Sequence, residues 1–261
     1  MSELPLPPAT RALGASGIEV SPIAWGMWRL TENGRTVAEA AKLVHAALDA
    51  GITFLDTADI YGFDGAGGFG DAEVLLGEVL SAEPALRDQM VLATKGGILP
   101  PLPYDQSADA SGKVRTLGVS NFTMAQTAAL NHFLGTKLVT TQPEISPLRI
   151  DCFENGELDQ AMMLGLTPMA WSPLGGGRLA APETARDTAV AAALDVVAKA
   201  QGVSRTVAAY SWLMAHPAGI VPIIGSQNAA RIAEGAAALG VRWMRTEWYA
   251  VLVAARGVPL P

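Results

Sequence analysis

The sequence predicts an α/β fold of the (β/α)8 barrel kind with one strand too few. Three observations carry that expectation. Short apolar runs alternate with amphipathic helical segments, the pattern of parallel strands joined by crossover helices. Seven such runs each end directly in a polar or aromatic residue, and a parallel barrel places its chemistry at those ends. One crossover, between Lys95 and Val114, has no helical periodicity and holds Pro100, Pro101 and Pro103. Its 261 residues suit one barrel or two small domains, and the alternation on both sides of that break reads as a single domain over 1–261.

Taken in order, residues 11–20 carry two glycine turns and read as an N-terminal hairpin. Residues 23–27 form the first strand, ending at Trp28. Residues 36–50 place Val37, Ala41, Val44 and Leu48 on one face, with Gly51 as the stop, and so form a helix. Residues 52–55 make the second strand, 71–81 a helix capped by Asp71, and 90–94 the third strand, ending at Lys95. Residues 114–119 read as the next strand. Parallel neighbours need a crossover of about a dozen residues or more, usually helical. The preceding stretch cannot supply one, so a helix, and with it a strand, is expected to be missing between Tyr104 and Ser111. The alternation then resumes with a helix at 123–132 and a strand at 138–142. A helix at 156–164, a strand at 168–172 and helices at 187–200 and 204–215 follow. A strand at 220–224, a helix at 228–239 and an extra helix at 246–256 close the chain.

Composition narrows the function. Half the residues are hydrophobic and the net charge is −7, which suits an acidic soluble protein and argues against a nucleic-acid surface. The single cysteine, Cys152, allows no internal disulfide and points to a reducing, cytoplasmic location. The start lacks the basic-then-apolar pattern of a signal peptide. No apolar run approaches the roughly 18 residues that span a membrane. Clustered metal ligands are missing, so no metal is expected. His45 and His132 fall in helices and His216 precedes Pro217, positions that read as structural.

Residues 54–61, Phe-Leu-Asp-Thr-Ala-Asp-Ile-Tyr, bring a carboxylate, Asp56, and a phenol, Tyr61, to a strand end. Lys95 ends the next strand. A buried ammonium beside the phenol is expected to pull its pKa down from about 10, making it a proton donor to a carbonyl oxygen while another group supplies hydride. The plainer alternative is a helix-capping aspartate, a surface lysine and a half-buried tyrosine. The run 65–70 matches GxGxxG but does not end a strand directly, and no acidic ribose ligand follows. It reads as a flexible loop over the site. Gly175–Arg178 follows a strand and either admits a diphosphate to its amides or is a plain turn. Gly225-Ser226-Gln227 leads into the helix of Arg231 and Glu234, which suits a phosphate or a simple cap with a solvated arginine.

Together these residues resemble the aldo-keto reductase family along nearly the whole chain. The carriers are 11–22 as its hairpin, 54–62 as its aspartate-tyrosine signature, and Thr94-Lys95. Gly112 through Phe122 follows, and is among the family's most specific motifs. Residues 244–249 resemble a bacterial subgroup of predicted oxidoreductases. The resemblance implies an NADPH-dependent reductase of aldehyde and ketone carbonyls on a (β/α)8 barrel. It implies Tyr61 as general acid, Lys95 as its tuner and Asp56 as the lysine's partner. Ser120, Asn121 and Gln142 would hold the nicotinamide carboxamide and Trp171 would stack on the ring. Ser172, Pro173, Leu174, Gly175 and Arg178, with Gly26, Met27, Gly225, Gln227 and Glu234, would complete the cofactor contacts. Ser226 and Arg231 would select the 2′-phosphate, and Trp28 would line the pocket for a small-molecule carbonyl. Where the family places a fourth strand ending in a catalytic histidine, this sequence has the short 104–111 stretch, so an eight-stranded barrel lacking that strand and its flanking helices is expected. Two outcomes stay open: a working reductase, or a truncated relative that binds NADPH or acts as an interaction protein.

Overall fold

The computed structural model describes residues 2–96 and 114–260, so the 104–111 stretch lies outside the described residues. The chain divides into two compact units. One comprises Met1–Pro22, Thr116–Ile223 and Glu234–Pro261; the other comprises Ile23–Arg115 and Ile224–Ala233.

The first unit opens with an antiparallel hairpin, β1 (Arg11–Ala12) and β2 (Glu19–Val20). Gly14 turns it at φ +55°, and a Cβ there would lie 2.5 Å from the Val139 carbonyl, so only glycine fits. The Gly14 amide donates to Thr167 Oγ1 at 2.9 Å, and the Arg11 guanidinium donates to the Gly219 carbonyl. Val139 and Thr167 lie at strand beginnings, so the hairpin covers the N-terminal end of this unit's sheet and leaves the C-terminal strand ends open.

The other unit holds three parallel strands, β3 (Ala24–Gly26), β4 (Phe54–Asp56) and β5 (Val91–Ala93), in the order β5-β4-β3. The first crossover helix, α1 (Val37–Asp49), carries a full capping box between Thr36 and Glu39. Such a box contributes about 1 kcal/mol. Helix α2 (Asp71–Ala82) starts after Gly70 at φ +85°. Asp71 is therefore its first helical residue rather than its cap, because the chain needs a left-handed residue to enter the helix there. A 3-10 turn over Pro84–Gln89, unforeseen in the sequence, feeds β5.

The remainder of the first unit alternates β6 (Leu117–Ser120), α3 (Met124–Phe133) and β7 (Leu138–Gln142). Next come the short α4 (Asp151–Glu154), α5 (Glu157–Leu164), β8 (Thr167–Ala170), α6 (Ala185–Gln201), α7 (Arg205–Met214) and β9 (Val221–Ile224). Its strands pair in parallel in the order β9-β8-β7-β6. The predicted strand at 114–119 is thus shifted toward Ser120, with a register break between Leu117 and Gly118. The expected helix at 228–239 splits into α8 (Ala229–Gly235) and a 3-10 turn over Ala236–Gly240, since Gly235 weakens a continuous helix. Helix α9 (Arg245–Arg256) packs on α6. Behind it Phe153, Trp212 and Trp248 stack at 5.3 and 5.1 Å between ring centres. Trp212 and Trp248 each donate an indole N–H to the other's carbonyl, at 3.0 and 2.9 Å. Among the described residues no helix is long and apolar enough to cross a membrane.

Candidate active site

In the three-stranded unit, β4 delivers Asp56, which is 1 % exposed, to the C-terminal edge. The ladder continues past the strand ends. Thr57 N donates to Ala93 O and Asp59 N to Lys95 O, both at 2.9 Å, so the segment leading to Tyr61 is tied to the one carrying Lys95. Lys95 Nζ donates to Asp56 Oδ2 at 2.7 Å and to the Thr57 carbonyl at 2.8 Å. The ammonium lies 4.7 Å from the centre of the Tyr61 ring. Trp28 meets the same ring edge-on, with ring centres 5.1 Å apart. The structure thus brings Asp56, Tyr61, Lys95 and Trp28 together.

The expected direction of the tyrosine shift is overturned. Burial, then the Asp56 charge, then a hydrogen bond from the phenol to Asp56 raise the Tyr61 pKa above its ordinary value. Lys95 reaches the face of the ring, so its charge does not offset the carboxylate at the hydroxyl. Tyr61 is held as a neutral phenol, a group with a proton to give.

The loop after Tyr61 carries its own internal contacts. Asp64 Oδ1 accepts the amides of Ala66 and Gly67 at 2.9 Å each. Gly62 and Gly68 lie back to back, and a Cβ on Gly68 would sit 2.3 Å from the Gly62 carbonyl. Ala72 N then donates to Tyr61 O at 3.1 Å, fixing the tyrosine backbone to the first turn of α2. Of the glycines in the 65–70 run, Gly68 serves close backbone contact, while Gly65, Gly67 and Gly70 have open space where a Cβ would be. Thr94 Oγ1 donates to the Glu73 carboxylate, a support beside Lys95 that no sequence pattern announced.

In the same unit the 225–228 turn is pinned to β3. Trp25 Nε1 donates to Ser226 O, and Gln227 Nε2 to Gly26 O, at 3.0 Å each. Ser226 Oγ accepts from Asn228 N at 3.2 Å, and Asn228 Oδ1 from Arg231 N at 3.2 Å. A Cβ added to Gly225 would meet no atom within 4 Å, and Arg231 is exposed. Arg231 makes no ion pair among the described residues.

The four-stranded unit gathers a second group at its strand ends. Ser120 Oγ donates to Gln142 O at 2.9 Å, and Asn121 N to the same carbonyl at 3.2 Å. Trp171 Nε1 donates to Asn121 Oδ1 at 2.9 Å, which fixes the half-buried indole. Gln142 is buried, its amide 3.9 Å from Met169 Sδ. Asn121 and Ser172 adopt φ +56° and +51°, conformations that L side chains seldom take. Beyond them Pro173 is buried, Leu174 partly so, and Gly175 packs on Leu148. Gly176 and Gly177 have positive φ and open space where a Cβ would be. Arg178 folds back to Gly175 O at 3.4 Å and to the buried Asp187 at 3.5 Å, which closes the glycine turn. Glu234 is exposed in this unit, where its charge helps burial raise the Tyr210 pKa.

The histidines have other partners. His45 contacts Glu83 at 2.9 Å, His132 packs edge-on against Phe133, and His216 Nδ1 accepts from Ala218 N at 3.1 Å.

The family model for the aldo/keto reductase family matches residues 22–110 and 104–251, two pieces that break at the stretch between β5 and β6. A 6-dehydroglucose reductase of Novosphingobium aromaticivorans is 74 % identical over 304 aligned positions, covering all of both chains. With 261 residues against 304 positions, at least 43 positions of that alignment have no counterpart here. A 6-dehydroglucose reductase of Agrobacterium fabrum is 35 % identical, covering 92 % of this chain and 96 % of its own. Among solved structures, the thermostable aldo-keto reductase Tm1743, complexed with epalrestat, covers 94 % of this chain and 99 % of its own at TM-score 0.75 and 18 % identity. The Bombyx mori reductase AKR2E4, complexed with NADP, covers 97 % and 94 % at TM-score 0.73 and 20 % identity. The fold is accordingly α/β, of the aldo-keto reductase barrel type.

Proposed function

The chain belongs to the aldo/keto reductase family, and on that footing we propose that it is an NADPH-dependent reductase of an aldehyde, with Tyr61 as general acid. The observation that carries this reading is the Asp56–Tyr61–Lys95 cluster: a neutral, half-buried phenol beside an anchored ammonium at a strand end. The name shared by the two relatives points to the substrate, 6-dehydroglucose, a hexose with an aldehyde at C6.

The residues present suit the cofactor. Gly176, Gly177 and Gly225 leave backbone amides open to phosphate oxygens, Arg231 offers an uncommitted cation, and Trp171 presents a half-buried indole face. NADPH, when bound, supplies the hydride that reaches the carbonyl carbon. Tyr61 Oη gives its proton to the carbonyl oxygen, leaving an alcohol, and recovers one from solvent. Lys95 lowers the cost of the transient phenolate, and Asp56 and the Thr57 carbonyl hold Lys95 in place. By the family resemblance, Ser120, Asn121, Gln142 and Trp171 would hold the nicotinamide, and Ser226 and Arg231 would take the 2′-phosphate.

A second reading rests on a separate observation, the 43 or more alignment positions without a counterpart. The resemblance puts a catalytic histidine where this sequence has only the short 104–111 stretch, so on this reading the chain binds NADPH but turns over more slowly than its relative, if at all. Fluorescence titration with NADPH, followed by NADPH consumption with 6-dehydroglucose, tests both readings. Binding with Tyr61-dependent turnover as fast as the relative's supports the first reading, and binding with much slower or no turnover supports the second. Failure to bind sinks both.

A further inference from the structure

The segment that presents Trp28 is bracketed by one side chain. At its start the Gly26 carbonyl accepts from Gln227 Nε2 at 3.0 Å. At its end Arg35 Nη1 donates to the carbonyls of Leu30, at 2.7 Å, and Arg29, at 3.2 Å. The same Arg35 nitrogen lies 3.4 Å from Gln227 Oε1, a long hydrogen bond. The amide orientation is forced. A guanidinium only donates and a carbonyl only accepts, so Gln227 must turn its oxygen to Arg35 and its nitrogen to Gly26. Between the bracket ends the chain makes one tight turn, closed by Leu30 N to Met27 O at 2.9 Å. Trp28 stands out from that turn, 57 % exposed, with its edge on Tyr61. Gln227 itself belongs to the turn of Gly225 and Ser226, pinned by Trp25.

We propose that Gln227 and Arg35 are positioning residues that couple occupancy of the 225–231 segment to the order of the Trp28 turn. A nucleotide phosphate that immobilises Ser226 and Arg231 also immobilises Gln227 between them and β3. Gln227 then holds Gly26 and Arg35, and Trp28 is set before the aldehyde arrives. The identity of the nucleotide rests on the function proposed above; the coupling rests on the hydrogen bonds just given. Reciprocity requires that whatever orders Trp28 also tightens the nucleotide. Removing the bracket therefore weakens NADPH by roughly two- to tenfold, the scale of one or two hydrogen bonds.

Amide hydrogen exchange on the whole chain, with and without NADPH, tests this. In the wild type, NADPH slows exchange at residues 225–232 and at Leu30. In Gln227→Leu, of similar size, protection persists at 225–232 but disappears at Leu30. Arg35→Lys retains part of the Leu30 protection and Arg35→Ala none. The coupling is overturned if Gln227→Leu keeps full Leu30 protection. It is equally overturned if the variants raise ligand-free exchange throughout the molecule, which marks a purely structural brace. If NADPH protects neither segment in the wild type, the cofactor reading falls and the coupling with it. Protection at 225–232 without protection at Leu30 in the wild type overturns the coupling alone.

Discussion

Lys95 meets Tyr61 through the face of its ring, with the ammonium 4.7 Å from the ring centre, while the phenol hydroxyl is turned to Asp56. The lysine therefore stabilises a phenolate only at a distance, and the carboxylate stabilises the proton on the oxygen. A tyrosine so placed stays protonated across the physiological range. It can act as an acid toward a carbonyl whose oxygen becomes strongly basic as hydride arrives.

Replacing Tyr61 by Phe removes the proton donor but keeps the ring that packs on Trp28 and Lys95. Turnover of aldehyde is expected to fall by about 10²–10⁴, the usual contribution of a placed acid, with NADPH affinity unchanged. The group must be protonated to work and its pKa is raised, so loss of activity at alkaline pH sets in above about 10, the ordinary tyrosine value. A profile of kcat/KM against pH that falls below about pH 9 contradicts this assignment.

Asp56 is almost wholly buried and Lys95 a quarter exposed. Asp56→Asn removes the charge that balances the ammonium, leaving it only neutral carbonyl acceptors such as Thr57 O. Breaking such a pair from one side costs about 3 kcal/mol. The double variant Asp56→Asn/Lys95→Met removes the stranded charge and should regain part of that loss. Denaturant unfolding of Asp56→Asn, Lys95→Met and the double variant measures the coupling, and additive losses would show the pair to be independent.

His216 lies against the ring of Phe153, 4.8 Å between centres, and burial pushes its imidazole pKa down to about 4, with Asp159 pulling weakly the other way. Unfolded, it titrates near about 6.5. Above that pH both states are neutral and the group contributes nothing. As pH falls from about 6.5 toward about 4, the unfolded chain takes up a proton that the native chain refuses. Stability then drops by at most about 1.4 kcal/mol per pH unit. His216→Asn keeps an acceptor for the Ala218 amide and removes the titration. Urea midpoints of the two proteins should diverge below about pH 6.5 and run parallel above it.

Much of the fold is legible in the sequence because strands and helices announce themselves by period. The strand at 138–142 and the helix starts at Thr36 and Thr123 coincide with the structure, since capping hydroxyls and apolar alternation are local signals. Asp56, Tyr61, Lys95 and Trp28 lie together in the structure, each terminating or closely following a strand. What escapes depends on side-chain direction. Nothing in the order of residues tells that Lys95 approaches a ring face, that the glycines at 62 and 68 press backbone on backbone, or that Gln227 spends both ends of its amide inside the protein. The Thr57 carbonyl that helps hold Lys95 carries no residue signature at all.

The strands on either side of the missing segment are less buried than the strands behind them. In one unit β3 and β4 are fully buried while every residue of β5 is only partly so; in the other, β8 and β9 are fully buried while β6 keeps one buried residue in four. Among the described residues β5 pairs only with β4, and β6 only with β7. Neither β5 nor β6 carries a charge or a proline, the usual guards of an open edge. The 74 % identical relative has at least 43 positions that this chain lacks, and the family model breaks into two pieces between β5 and β6. Inserting the corresponding segment of the 74 % identical relative between Tyr104 and Ser111 should therefore reduce concentration-dependent association in sedimentation velocity. It should also raise aldehyde turnover by about 10² or more, the contribution of a restored catalytic side chain, with NADPH affinity little changed. Unchanged turnover after insertion, in a chain that binds NADPH, would show that the segment is dispensable for catalysis and that Tyr61, Lys95 and Asp56 suffice.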